Sequence, residues 1–240
     1  MAENALHFNT YRNSLFSETV KQKTTNERGV IHRLVCVAKI NQDWISERDK
    51  CSAVTEYFEE FLSKLQKKTP REVVTGLLLV YSKSIIHLLE STSEVLTQIL
   101  KNLSEMEEGS NSLLKDCRIL VVSHCLPVRL FSSWSCRMIK VPVRQTDAAE
   151  HTQPVELLVS HSLTMIYKYC TYLLKGIREG QDTKEQAHVL EEETIIHLCQ
   201  SQVLHSPNTF LKSYTKPVNI LMDTEIVWPT SHRLYWKREW

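Results

Sequence analysis

The side chains that could do covalent or metal chemistry here are histidines and cysteines, and their spacing argues against both. Ser123-His124-Cys125 sets a hydroxyl, an imidazole and a thiol side by side. Nucleophilic catalysis needs its base within hydrogen-bond reach of the nucleophile. Neighbours on an extended strand point to opposite faces, so this run makes no dyad. His124-Cys125 and His197/Cys199 come nearest to metal-ligand pairs. No CxxC, HExxH or second pair at ligand spacing accompanies them, so no metal site is expected. His87 is the remaining candidate. It interrupts the apolar run Ile85-Ile86-His87-Leu88-Leu89, where an imidazole is either a satisfied structural group or a group facing a pocket.

The 240 residues, 42% of them hydrophobic, suffice for one large domain or for a core domain with an extension. Charge is balanced, 29 Lys+Arg against 28 Asp+Glu, which disfavours a nucleic-acid backbone as the main partner. The seven cysteines are odd in number and irregular in spacing, as expected of reduced, buried thiols in the cytoplasm. No apolar run approaches the ~18 residues of a membrane span, so no membrane partner is expected. Residues 1–29 are polar, show no signal-peptide core and read as a flexible arm.

These candidates need elements to position them. Ile31 to Ile40 reads as a buried strand, and Ser46 opens a helix, with Asp49 in a weak capping box. Its stripe runs through Val54, Tyr57, Phe58, Phe61, Leu62 and Leu65, and Pro70 stops it. Val73 to Tyr81 and Ser84 to Glu90 form a hairpin around Ser82-Lys83. A helix from Ser91 carries Val95, Leu96, Ile99, Leu100 and Leu103; strands follow at Cys117 to Ser123 and Trp134 to Val141. The first six elements of the order β-α-β-β-α-β-β predict a split-βαβ α+β fold, one antiparallel sheet with two helices on one face, and the fifth strand is an addition at the end. From Asp147 the character changes. Helices are expected over Pro154 to Glu179 and Glu185 to Leu204, with Glu191-Glu192-Glu193 as a solvated stretch. A short extended stretch, Pro217 to Trp228, follows. The end carries Arg233, Tyr235, Trp236, Lys237, Arg238 and Trp240, a basic-aromatic tail that either docks a partner or packs back onto the chain.

The run Val74-Thr75-Gly76-Leu77-Leu78-Leu79, then His87-Leu88-Leu89-Glu90-Ser91, then Arg129, Phe131 and Trp134 resembles the BLUF domain, a blue-light flavin sensor with a ferredoxin-like fold. Those runs, with Ser123-His124, Pro127-Val128-Arg129-Leu130-Phe131, Ile139-Lys140-Val141-Pro142-Val143 and Val227-Trp228-Pro229, are also similar to the testis-expressed protein 47 family. This resemblance implies an arm at 1–29, a BLUF-like domain at 30–145 and a helical C-terminal extension at 146–240. It further implies a male germ-cell protein in the cytoplasm and cytoskeleton of the sperm flagellum. The expected partners are axonemal: the tubulin doublet and radial-spoke or linker components.

The BLUF resemblance also implies that flavin photochemistry needs a Tyr on the first strand, a Gln on the third and an Asn on or just after the first helix. The matching positions hold Cys36, His87 and Thr69 (or Lys68), with Trp134 retained. Each flavin polar atom left unpaired in a buried site costs about 1–3 kcal/mol, so no flavin is expected. A phosphate cradle of the acylphosphatase kind needs a Gly-rich loop, which five scattered glycines do not supply. RNA-binding relatives need aromatics on the central strands, where this chain has Leu, Val and Ile. The expectation is a non-catalytic structural or adaptor protein. The alternative is a degenerate sensor with a small ligand in the former flavin pocket.

Overall fold

A computed structural model describes residues 14, 30–41, 50–109, 112–139, 154–179 and 189–216. The arm 1–29 apart from Ser14, the helix start at Ser46 and Asp49, the stretch Pro217 to Trp228 and the tail Arg233 to Trp240 lie outside the described residues. The elements run β1 (Ile31–Ile40), α1 (Lys50–Lys68), β2 (Thr75–Val80), β3 (Ser84–Ser91), α2 (Ser93–Glu108), β4 (Leu114–Leu126), β5 (Trp134–Met138), α3 (Val155–Glu179), α4 (Glu192–Gln200) and α5 (Pro207–Thr215).

One sheet has the order β4-β1-β3-β2-β5. β1 pairs antiparallel with β3 and β4, and β2 pairs antiparallel with β3. This is the ferredoxin-like order, in an α+β fold. The four strands of the split-βαβ unit are antiparallel, as expected, and the added fifth strand, β5, runs parallel to β2, so the whole sheet is mixed. The 127–133 loop passes the Thr75/Glu90 end of the β2–β3 pair before β5 starts.

Every residue of β2 and β3 is buried, the mark of strands covered on both faces. On one face, Leu34, Cys36, Ala38, Leu78 and Leu89 pack under Val54 and Phe58 of α1 and Val95 and Ile99 of α2. On the other face, Val35, Val37, Leu79, Ile86 and Leu88 pack under Ile166, Tyr169 and Cys170 of α3 and Ile195 and Leu198 of α4. The two helices on one face are as expected. The extension is a second helical layer on the opposite face.

The extension departs from expectation in three places. The helix expected over Glu185 to Leu204 begins at Glu192, because Glu191 is extended (φ −68, ψ 138), and it ends at Gln200. Glu192 is not merely solvated. Its carboxylate accepts from Ser82 Oγ at 2.6 Å, from the Lys83 amide at 2.6 Å and from Ser84 Oγ at 3.2 Å, clamping α4 to the β2–β3 turn. Helix α5 was not anticipated, although Ser206-Pro207 is its start signal: Ser206 Oγ accepts the Thr209 amide, and Pro207 takes the first turn. α5 and the turn before it cover the β4 edge, where the Ile119 amide donates to the His205 carbonyl at 2.9 Å.

A carboxylate joins the strands. Glu90 on β3 is fully buried. It accepts Arg33 Nε and a terminal Arg33 nitrogen at 2.8 and 2.6 Å, and Thr75 Oγ1 at 3.1 Å. It also accepts the backbone amides of Leu130 and Phe131 at 2.9 and 3.2 Å. Arg129 closes the circuit by donating to Thr75 Oγ1 and to the Glu90 carbonyl. A buried charge stays ionised only when its oxygens are paired in this way. Removing it leaves Arg33 and two amides without their partner. Glu90→Ala should therefore lower stability by about 3–5 kcal/mol, read as a drop in the denaturation midpoint. A loss under about 1 kcal/mol would show that solvent replaces the carboxylate at this depth.

Candidate functional site

The former cofactor position of the BLUF resemblance lies on the α1/α2 face of the sheet. Three of the four residues expected there converge. Cys36 on β1 sits directly across from His87 on β3. Trp134 opens β5 and reaches His87 from the other side, its indole Nε1 donating to His87 Nε2 at 3.0 Å. Thr69 does not join them: it ends α1, where its hydroxyl and its amide both donate to the Leu65 carbonyl.

The space over His87 is filled. Phe58 of α1 sets its ring edge-on to the imidazole at 4.6 Å, and Trp134 does so at 6.1 Å. Phe58 is wholly buried and His87 is 1% exposed. Between the helices there remains a groove of about 250 Å³ lined by Phe61, Lys64, Lys68, Gln98, Lys101 and Glu105, among others, but by none of Cys36, Phe58, His87 or Trp134. Phe58 was legible in the sequence as part of the α1 stripe. Its role as the side chain that closes the pocket was not.

Gly76 is where β2 lies tight against β3. Gly76 pairs with both Leu89 and Trp134. Its φ of +150 suits glycine alone, and a Cβ there would meet the Leu88 carbonyl oxygen at 2.1 Å.

The chemistry left to this cluster is small. Because His87 Nε2 accepts from the indole, the neutral ring carries its proton on Nδ1, and Nδ1 has no hydrogen-bond partner. Burial pulls the imidazole down to about 3, so it is neutral near pH 7. The Cys36 thiol points at the His87 backbone carbonyl at 3.7 Å rather than at the ring, so no thiol–imidazole dyad forms. The hydrogen bond to Cys36, with burial, pushes the Cys117 thiol well above its ordinary value, the reverse of an activated thiolate. The residues present do not fit a flavin: an aromatic ring fills the ring space, and among the described residues no tyrosine or glutamine bonds to His87. The Arg129-Leu130-Phe131 motif is structural, with Arg129 and the Leu130 and Phe131 amides all bonded to Glu90. His124 lies exposed on β4 beside His32. Among the described residues, no group of three or more His, Cys, Asp or Glu could hold a metal ion.

A neutral buried histidine makes stability depend on pH. In the unfolded chain the imidazole takes a proton below about 6.5; in the folded chain it resists down to about 3. The unfolded state then binds more protons, so the contribution is fully present above 6.5 and is lost as pH falls toward 3. His87→Leu should flatten this slope. Relative to its value at pH 7, wild-type stability should fall by about 2 kcal/mol more than the variant's at pH 5, measured by urea denaturation at both. Parallel pH profiles would mean that His87 is already charged, or solvated, in the fold.

Among solved structures, the chain is 17% identical to the BlrP1 BLUF domain (TM-score 0.33, 46% of this chain and 64% of that one). It is 11% identical to the dark state of BlrB, a BLUF protein (TM-score 0.35, 47% and 74%). It is 12% identical to BlsA in its photo-activated state (TM-score 0.36, 72% and 96%). It spans 36% of a bacterial light-regulated adenylyl cyclase. With scores this low, the fold assignment rests on the chain's own strand order. The family model described as testis-expressed protein 47 matches residues 30–216. That match takes in the sheet, both helical layers and the filled pocket, and the chain belongs to the testis-expressed protein 47 family.

Proposed function

We propose that this chain is a non-catalytic structural or adaptor protein of the sperm flagellar axoneme, held on the cytoskeleton by contacts with the tubulin doublet and with radial-spoke or linker components. Family membership supplies the testis setting. The observation that carries the reading is the packed interior at the former cofactor position, where Phe58 and Trp134 enclose His87. A sensor needs a cavity there that a ligand can enter and a group that the ligand can perturb. This position offers neither, and a packed module covered on both sheet faces suits a part that holds larger components in register. No described helix is long and apolar enough to cross a membrane. The near-neutral charge of +1 gives no electrostatic reason to bind nucleic acid.

Cross-linking mass spectrometry on demembranated, salt-washed sperm flagella tests the proposal. The chain is expected to remain with the washed axoneme and to cross-link to tubulin, spoke or linker proteins. Release with the detergent-soluble fraction, with no such cross-links, would remove the axonemal role.

A further inference from the structure

We propose that His32 and His124 form a two-imidazole chelate for a divalent transition-metal ion of the copper(II) or nickel(II) class, on the rim of the sheet beside α2. This inference is independent of the axonemal proposal. The two rings come from neighbouring strands and meet at Nδ1, 3.0 Å apart, with centroids 5.1 Å apart and planes at 73°. A bulge brings them together. Ile31 pairs with Leu126 and Arg33 with Ser123, so β4 uses three steps where β1 uses two. Cys125 absorbs the extra residue in the left-handed region, φ 54, next to His124.

The separation suits two cis ligands: with a metal–imidazole bond of about 2.0–2.1 Å, nitrogens 3.0 Å apart subtend roughly 91–97° at an ion. Copper(II) and nickel(II) accept such a cis pair in square-planar or tetragonal geometry and stand highest in affinity among the divalent ions that imidazole suits. In the metal-free pair one Nδ1 donates and the other accepts, so at least one ring is neutral. Glu94, at the start of α2, places a negative charge near the pair, to the benefit of a cation. No third His, Cys, Asp or Glu completes the shell among the described residues, so water or a partner's ligand fills the other positions.

Nickel(II), which free thiols do not reduce, is the probe. It is titrated calorimetrically into the full chain and into His32→Ala, His124→Gln and the double variant. The wild type should show one site that each variant weakens at least about tenfold, as loss of a metal-supporting group does. Nickel(II) should also raise the melting temperature of the wild type and not of the variants. His124 is exposed, so His124→Gln keeps the test sound if His32→Ala misfolds. Identical isotherms for the wild type and His124→Gln would overturn the proposal, as would a wild type with no saturable site.

Discussion

The buried carboxylate of Glu90 is the constraint on which the rest of the structure depends. It holds Arg33 of β1 and Thr75 of β2, and it gathers the amides of Leu130 and Phe131. By pinning that loop it decides where β5 begins, and so where Trp134 lies. The same Arg33 guanidinium sits 5.6 Å from the ring of Tyr167 on α3, a cation–π distance. One charge thus fastens the loop that closes the pocket on one face and touches the helical layer on the other. An ion pair at this depth gains little over an apolar replacement, yet breaking it is expensive. Its contribution is to specify the arrangement.

What that arrangement closes is a cofactor position without a cofactor's requirements. Gly76 lets β2 lie tight against β3, Trp134 donates to His87, and Phe58 descends from α1 onto the imidazole. Each contact satisfies or excludes a group that a flavin would need. His87 retains one unpaired Nδ1, a polar remnant in an apolar setting. Such a group lowers stability even when neutral, and burial keeps it from the larger cost of a charge.

Much of the α+β frame was legible in the sequence. β1 could be bounded at Ile31 and Ile40 because the apolar stretch Leu34 to Ala38, with Ile40, gives way to polar Asn41-Gln42, and β2 and β3 because Ser82-Lys83 separates two predominantly apolar segments. The direction of β5 was not legible: pairing direction depends on the route of the preceding loop, and that route is set by Glu90, forty residues earlier. Glu90 itself appeared as one acid at the end of an apolar strand, with nothing local to show its partners. Glu192 was misjudged for the same reason, since its hydroxyl and amide donors lie across the sheet at Ser82 to Ser84. Ser206-Pro207 did announce α5 and was overlooked. At the site, convergence of Cys36, His87 and Trp134 followed from strand register and the family resemblance. The exclusion of Thr69 and the closure by Phe58 needed the packing of α1.

The central claim, that side chains fill the position where the BLUF resemblance would put a flavin, is tested most directly by titrating riboflavin mononucleotide into the 240-residue chain and following flavin fluorescence and absorbance in darkness and under blue light. The account predicts no saturable binding and no light-dependent spectral shift. Saturable quenching with a shift of the flavin band under blue light would contradict it, since both would require Phe58 to leave the space above His87.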